Sequence, residues 1–433
     1  MTSQDYLQLE DRYGAHNYHP LPVVLTEGRG VYVYDVAGKQ YFDFLSAYSA
    51  VNQGHCHPRI VRVMQEQAAR LTLTSRAFYN DRLGPYERYL CDYFGFEKVL
   101  PMNTGAEAVE TAIKVCRKWG YEVKGIPTDR ARIIVCGQNF HGRTTTIISF
   151  SSDPNARGNF GPYTPGFESI PYGDVDALRQ ALANDPATIA GVLVEPIQGE
   201  AGVFVPPDDY LPAVAAACRE RNVLFIADEI QTGIGRTGAL LRICGDCSCA
   251  GHCERQPATY TRPDILILGK ALSGGTYPVS AVLADDAVMH VIRPGQHGST
   301  FGGNPVACAV AREALEVVRD EQLTQNARVL GRLFRQRMQA LVDRYPRRLV
   351  RVRGKGLLNA LVINDSEEGE AAWNLCLALA DRGLLAKPTH GNIIRFAPPL
   401  VISEAELEEA CGIIAASVAA TSVAATYDLR QDS

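Results

Sequence analysis

The chain alternates short apolar runs with amphipathic stretches over most of its length. Arg132 to Cys136, Gly191 to Ile197, Val223 to Ala227, Asp264 to Leu268 and Val279 to Leu283 are rich in Ile, Val and Leu, without polar alternation. Such runs predict strands buried on both faces, as in a mostly parallel sheet covered by helices. Helical spacing separates them. In Ala106 to Trp119, the residues Val109, Ala112, Cys116 and Trp119 share one face, and Leu211 to Arg221 is a second such stretch.

After about Ala311 the texture changes. One long helical pattern covers Arg312 to Tyr345, and a strand-like Leu349 to Ile363 follows. A helix near Glu370 to Arg382 and a strand at Ile393 to Phe396 come next. A last helix opens with Ser403 and Glu406 as a capping box. Near the other end, Gly30 to Tyr41 reads as a hairpin. The expected fold class is α/β: a mostly parallel large-domain sheet with helices on both faces, plus a smaller α+β domain. The expected division is an N-terminal segment 1–45 packing with the small domain, a large domain 46–310 and a C-terminal small domain 311–433.

Composition narrows the function. With 433 residues, 46% hydrophobic and 21% charged, the chain has the make-up of a soluble globular protein. Acidic residues exceed basic ones, 48 against 43, so nothing suggests nucleic acid, and a small-molecule ligand fits better. No apolar run approaches a membrane span. The first residues, MTSQDYLQLEDRYG, include Asp5, Glu10 and Asp11 and have neither an apolar signal core nor an Arg-rich transit character. A cytoplasmic location is expected, with a processed mitochondrial form left open.

Candidate chemistry begins with Lys270. It stands in ILGKALSGG, at the end of an apolar strand and before a Gly-rich turn. Partial burial lowers a lysine pKa and frees the neutral amine for a Schiff base. Asp228 ends another apolar strand in VLFIADEIQ. A carboxylate there suits a cofactor that needs a protonated ring nitrogen, and pyridoxal phosphate is such a cofactor. MNTGAEA opens a helix at Gly105 and Ala106, whose first N–H groups lack intrahelical partners and can take a phosphate. Phe140, His141 and Arg143 follow the strand ending at Cys136. An aromatic there can stack on a ring, and an arginine can grip a carboxylate. HGSTFGGNP supplies the hydroxyls of Ser299 and Thr300.

These segments, in this order, resemble the class III aminotransferases among the fold-type I pyridoxal-phosphate transferases, over nearly the whole chain. NYHPLP (17–22), YSAVNQGHCHP (48–58), EPIQGEAG (195–202), RGKGLLNA (353–360) and KPTHGNIIRFAPPL (387–400) strengthen the resemblance. It implies that Lys270 is the Schiff-base lysine and proton shuttle, and that Asp228 partners the ring nitrogen. Gln231 is implied near the ring hydroxyl and Phe140 against the ring face, with His141 beside them. Gly105 and Ala106 are implied to hold the phosphate, while Ser299 and Thr300 complete the site of the other subunit of a homodimer.

The resemblance also implies the reaction: the δ-amino group of L-ornithine passes to 2-oxoglutarate, giving glutamate and glutamate 5-semialdehyde by a ping-pong route. Tyr18 and Arg143 are implied to anchor the distant carboxylate, with Tyr48 lining the site. Arg395 takes the carboxylate beside the reacting carbon of glutamate or 2-oxoglutarate, and Glu200 neutralises Arg395 in the other half-reaction. Transfer from N-acetylornithine or 4-aminobutyrate would use the same core residues. Tyr18 and Tyr48 argue against 4-aminobutyrate, which has no α-amino acid head to hold.

One stretch departs from the family. Between Gly238 and Arg262 the connection is longer and carries Cys244, Cys247, Cys249 and Cys253, four of the twelve cysteines. Three readings stay open: a reduced loop without a set role, disulfides acting as a redox switch with a thioredoxin-like partner, or zinc with His252 as an alternative ligand. The C-x2-C-x-C-x3-C spacing is not a standard zinc arrangement, and no metal is assigned. A function of another class, a redox-sensing or metal-binding module on this scaffold, would rest on the same loop. Lys270, Asp228 and Arg395 together speak for catalysis.

Overall fold

The structure is a computed structural model and describes residues 1–245, 247 and 261–421. Its strands, in chain order, are β1 (Leu25–Arg29), β2 (Tyr32–Asp35), β3 (Gln40–Asp43), β4 (Lys98–Met102), β5 (Arg132–Cys136), β6 (Phe167–Ile170), β7 (Ile189–Val194), β8 (Leu224–Asp228), β9 (Ile265–Leu268) and β10 (Ser280–Ala284). The C-terminal part adds β11 (Leu349–Lys355), β12 (Leu358–Ile363), β13 (Leu384–Leu385), β14 (Lys387–His390) and β15 (Ile393–Phe396).

The central sheet has the order β4-β10-β9-β8-β7-β5-β6. The steps from β9 through β8, β7 and β5 to β6 are parallel. β10 runs antiparallel to both of its neighbours. An apolar run carries no direction, so this reversal was invisible in the hydrophobic pattern. Every residue of β7, β8, β9 and β10 is buried. Ile133, Leu193, Ile226 and Ile267 pack on one face with helix Gly105–Glu122, and Ile134, Val192, Phe225 and Leu266 on the other with Val214 and Cys218 of helix Tyr210–Glu220. Two buried faces explain why these strands show no alternation.

The long helical pattern after Ala311 is two helices, Pro305–Asp320 and Leu323–Arg344. Gln322, left-handed at φ 53°, breaks the path between them. The strand-like 349–363 is likewise two strands, β11 and β12, paired antiparallel around Gly356 at φ +55°. They form a sheet of order β11-β12-β15-β14. Ser403 caps helix Glu404–Ala420 in a capping box with Glu406.

A third sheet, β1-β2-β3-β13, joins the two ends of the chain, because β13 pairs parallel to β3. Lys39 Nζ donates to the carbonyls of Ala380 and Asp381 at 2.9 and 3.0 Å. His19 stacks on Trp373 with ring centroids 4.4 Å apart, which fixes the approach of Tyr18. Among the described residues no helix is long and apolar enough to cross a membrane.

Candidate active site

In an open parallel sheet, ligands bind beyond the carboxyl ends of the strands. β8 ends there on Asp228 and β9 just before Lys270. The Asp228 carboxylate is 5% exposed. Its Oδ2 lies 2.6 Å from His141 Nδ1, and its Oδ1 accepts from the Ile230 N–H at 3.1 Å. Burial works against protonation of His141, but the bond to Asp228 and that carboxylate's charge outweigh it and raise the pKa. Lys270 has the left-handed φ of 45°, uncommon for a residue with a side chain, and starts a short 3-10 turn. Burial lowers its pKa, and the charges of Glu200 and Asp228 only partly oppose this.

Gly105, Ala106, Phe140, His141, Asp228, Gln231 and Lys270 share the wall of one cavity of about 210 Å³. Thr104 caps the helix that begins at Gly105, accepting from Glu107 N, and the first intrahelical bond runs from Ala108 N to Thr104 O. The Gly105 and Ala106 N–H groups precede it, and both residues line the cavity. A Cβ on Gly105 would come within 3.0 Å of Ile230 Cδ1, so a side chain there would press on Ile230. Ser299 and Thr300 are not in this wall. Ser299 Oγ accepts from Asn103 Nδ2 at 2.7 Å, and Thr300 is exposed.

Beside the cavity lies a second cluster. Arg395 is 2% exposed, and its Nη1 donates to Glu200 Oε1 at 2.9 Å and to Gln231 Oε1 at 3.2 Å. Gln231 Nε2 also donates to Glu200, at 3.1 Å. Burial alone would raise the Glu200 pKa, but the Arg395 charge holds it down at about 2. The guanidinium lies 5.1 Å from the Tyr48 ring centroid. Burial raises the Tyr48 pKa, and Glu200, Arg395, Tyr18 and Arg143 all act on it electrostatically. Arg143 lies over Phe140 at 5.8 Å.

Tyr48 owes its position to an unusual turn. Ser46, Ala47, Tyr48 and Ser49 are all left-handed, with φ of 49°, 46°, 61° and 69°. Asp43 Oδ1 holds the entry by accepting from Leu45 N and Ser46 N, both at 2.9 Å. Asp43 Oδ2 meets His55 Nε2 at 2.7 Å.

Glu195, not among the residues expected from the sequence, also lines the cavity. Its Oε2 accepts from the Phe140 N–H at 3.0 Å. Burial pushes its pKa up to about 8. The signal was the same as for Asp228: an acid at the end of an unbroken apolar run. Of the cysteine segment, Cys249 and Cys253 lie outside the described residues. Cys244 ends a short 3-10 turn, and Arg328 donates to the Cys247 carbonyl. The preceding Ile243 N–H donates to Glu229, the neighbour of Asp228, at 2.7 Å.

A partly buried amine and a buried carboxylate, in one cavity wall with an aromatic residue and the start of a helix, define a site for carbonyl–amine chemistry on an organic phosphate cofactor. The donor set fits pyridoxal phosphate: Lys270 for the aldehyde, Asp228 for the ring nitrogen, Phe140 for the ring face, and Gly105 with Ala106 for the phosphate. The family model for class-III aminotransferases matches residues 13–418. The chain is 57% identical to the mitochondrial ornithine aminotransferase of Drosophila melanogaster, over 94% of this chain and 89% of that one. An ornithine aminotransferase structure from Toxoplasma gondii, with partial occupancy of PLP at its active site, superposes with a TM-score of 0.91 at 48% identity, covering 97% of this chain and 94% of that one. A structure of acetylornithine aminotransferase from Elizabethkingia anophelis gives 0.87 at 59% identity, covering 96% and 99%. The chain belongs to the class-III aminotransferases.

Proposed function

We propose that this aminotransferase moves the δ-amino group of L-ornithine to 2-oxoglutarate, with pyridoxal phosphate as cofactor. The Glu200–Arg395 pair carries the reading. Arg395 is a buried carboxylate receptor that the protein neutralises with its own acid. With the pair closed, the pocket suits an amine whose reacting carbon bears no carboxylate, such as the δ-end of ornithine. With Glu200 withdrawn, Arg395 can take the α-carboxylate of 2-oxoglutarate or glutamate. One pocket thereby serves two unlike substrates in turn.

Placement supports the following chemical roles. Pyridoxal phosphate, when bound, supplies the aldehyde that takes up the amino group and a ring that draws off electron density. Lys270 Nζ, kept short of its usual proton affinity by burial, takes the proton from the substrate's δ-carbon. Asp228, fixed by His141 and the Ile230 N–H, holds a proton on the ring nitrogen. Phe140 covers one ring face. Tyr18 and Arg143 grip the far carboxylate of ornithine. The products are glutamate and glutamate 5-semialdehyde, which cyclises to pyrroline-5-carboxylate.

A homodimer belongs to the same proposal, with Ser299 and Thr300 serving the partner's phosphate site. Phe301 beside them is 50% exposed, and Phe78 and Tyr79 are 73% and 104% exposed. The loop carrying Phe301 abuts the segment carrying the other two, since a Cβ on Gly303 would meet Leu83 and Arg76. Exposed aromatics in one neighbourhood suit a contact between copies. Parts 1–45, 46–310 and 311–433 remain the proposed division of the chain.

The likeness to an acetylornithine aminotransferase favours a second reading, in which the donor's α-amine is acetylated. The two differ only at the mouth, beside Tyr18 and Arg143. Single-turnover spectroscopy of the holoenzyme separates them. L-Ornithine, N-acetylornithine and 4-aminobutyrate are added without acceptor, and loss of the lysine-bound cofactor's visible absorbance is followed. Fast conversion by ornithine alone is expected. Faster conversion by either competitor would replace the substrate assignment.

A further inference from the structure

Beside the Glu200–Arg395 cluster lies a cation with no role so far. Lys387 lies on β14, the edge strand, directly opposite Arg395 on β15. Opposed residues of an antiparallel pair project from the same face of the sheet, so the two cations are neighbours. That face turns toward the loop carrying Glu200: a Cβ on Gly202 would touch Ile393, two residues from Arg395. Arg353, from β11, donates from its Nε to the Gly202 carbonyl at 2.7 Å.

Glu200 is the one carboxylate paired with Arg395 among the described residues, and it offers Lys387 no salt bridge. Lys387 Nζ instead lies 5.8 Å from the centroid of the Tyr18 ring. Two adjacent cations sharing one acid leave positive charge to spare at the mouth. A lysine on an edge strand often only guards the edge against pairing with other chains. Such a lysine extends into water, whereas Lys387 is half-buried and burial lowers its pKa.

We propose that Lys387 is a specificity-determining residue: with Tyr18 and Arg143 it receives the α-carboxylate of the amino-acid donor and so separates ornithine from diamines. The inference rests on the δ-amino transfer proposed above. Arg395 and Lys387 then divide the work along one face of the sheet. Arg395 reads a carboxylate beside the reacting carbon, and Lys387 reads one at the far end. A donor that lacks the far carboxylate leaves the Lys387 ammonium unmatched.

The test compares L-ornithine with 1,4-diaminobutane, its analogue without the carboxylate, on the wild-type holoenzyme and on Lys387→Met and Lys387→Arg. For ornithine, Lys387→Met should lower kcat/KM roughly tenfold or more, mainly through KM, as for the loss of a charged hydrogen bond. Turnover of 1,4-diaminobutane should stay within about twofold, and Lys387→Arg should restore most of the ornithine preference. Lys387→Gln, which keeps a polar chain on the edge strand, provides the same comparison if the methionine variant folds poorly. Equal losses for both donors, or none for either, would overturn the inference and leave the transferase reading intact. Wild-type enzyme that ignored ornithine would overturn both.

Discussion

Glu195 shows how much of the site's electrostatics rests on one side chain outside the catalytic pair. Its Oε2 clamps the Phe140 N–H, and it lies within electrostatic reach of both His141 and Asp228. Burial raises its pKa from the ordinary 4.5 to about 8. Between those values the folded protein retains a proton that the unfolded chain has released. The folded state therefore binds more protons, and this group's contribution to stability falls as pH rises through that window. Glu195→Gln keeps an acceptor for Phe140 but cannot ionise, so its denaturation midpoint should vary less with pH there. Glu195→Ala also strands the Phe140 N–H, at a further cost of about 1–3 kcal/mol. Urea unfolding of the three proteins across the window provides the check, and a glutamine variant with the full wild-type slope would refute the assignment. Lys270 and Asp228 were legible in the sequence because each polar residue ends a conspicuous apolar run. Glu195 ends a run of the same kind and was legible by the same rule, whereas Lys387, a lysine before a proline, is unremarkable until the fold shows what it faces.

Among the elements, the parallel strands were easy to read and the turn holding Tyr48 was not. β5 begins and ends where its apolar run does, because burial on both faces leaves little room for polar residues. By contrast, Ser46-Ala47-Tyr48-Ser49 contains no Gly or Asn, the residues that usually mark left-handed backbone. Its conformation is imposed from outside by Asp43 and its partner His55. Left-handed backbone costs a residue with a Cβ roughly 1–2 kcal/mol. Ala47 is exposed, so substitution there changes backbone preference and little packing. Ala47→Gly should leave stability level or raise it by up to about 1 kcal/mol, the strain relieved being partly offset by the entropy of a freer unfolded chain. Ala47→Val should lower it by about 1–2 kcal/mol, since a branched side chain tolerates positive φ least. Thermal or urea denaturation distinguishes these outcomes, and equal stability of all three would mean that the turn is not strained.

On the scale of the whole molecule, a single buried cation joins parts that lie far apart in the chain. Arg236, which follows β8, is fully buried and, among the described residues, has no salt-bridge partner. It donates to Asn52 Oδ1 from Nε at 3.1 Å and from Nη2 at 2.5 Å. Nη1 donates to the Leu357 carbonyl at 3.0 Å and to the Pro398 carbonyl at 2.6 Å. Asn52 closes the circuit by donating to the Ile234 carbonyl and by accepting, through its own carbonyl, from the Leu400 N–H. The central sheet, the turn between β11 and β12, the segment after β15 and the chain beyond Tyr48 thus meet on one guanidinium. Burying that charge is costly, and the hydrogen bonds offset the cost only while all are made. Arg236→Met preserves much of the volume but strands the acceptors, for a loss on the order of 3 kcal/mol once relief of the buried charge is counted. Arg236→Lys should recover little of this, because an ammonium cannot address acceptors spread around a planar fork. The loss should be local before it is global. By hydrogen exchange, the Leu357 and Leu400 amides should lose protection in Arg236→Met while those of β8 and β9 keep most of theirs. Uniform loss across the sheets would show that Arg236 supports the fold generally, and unchanged protection would remove it as the connection between them.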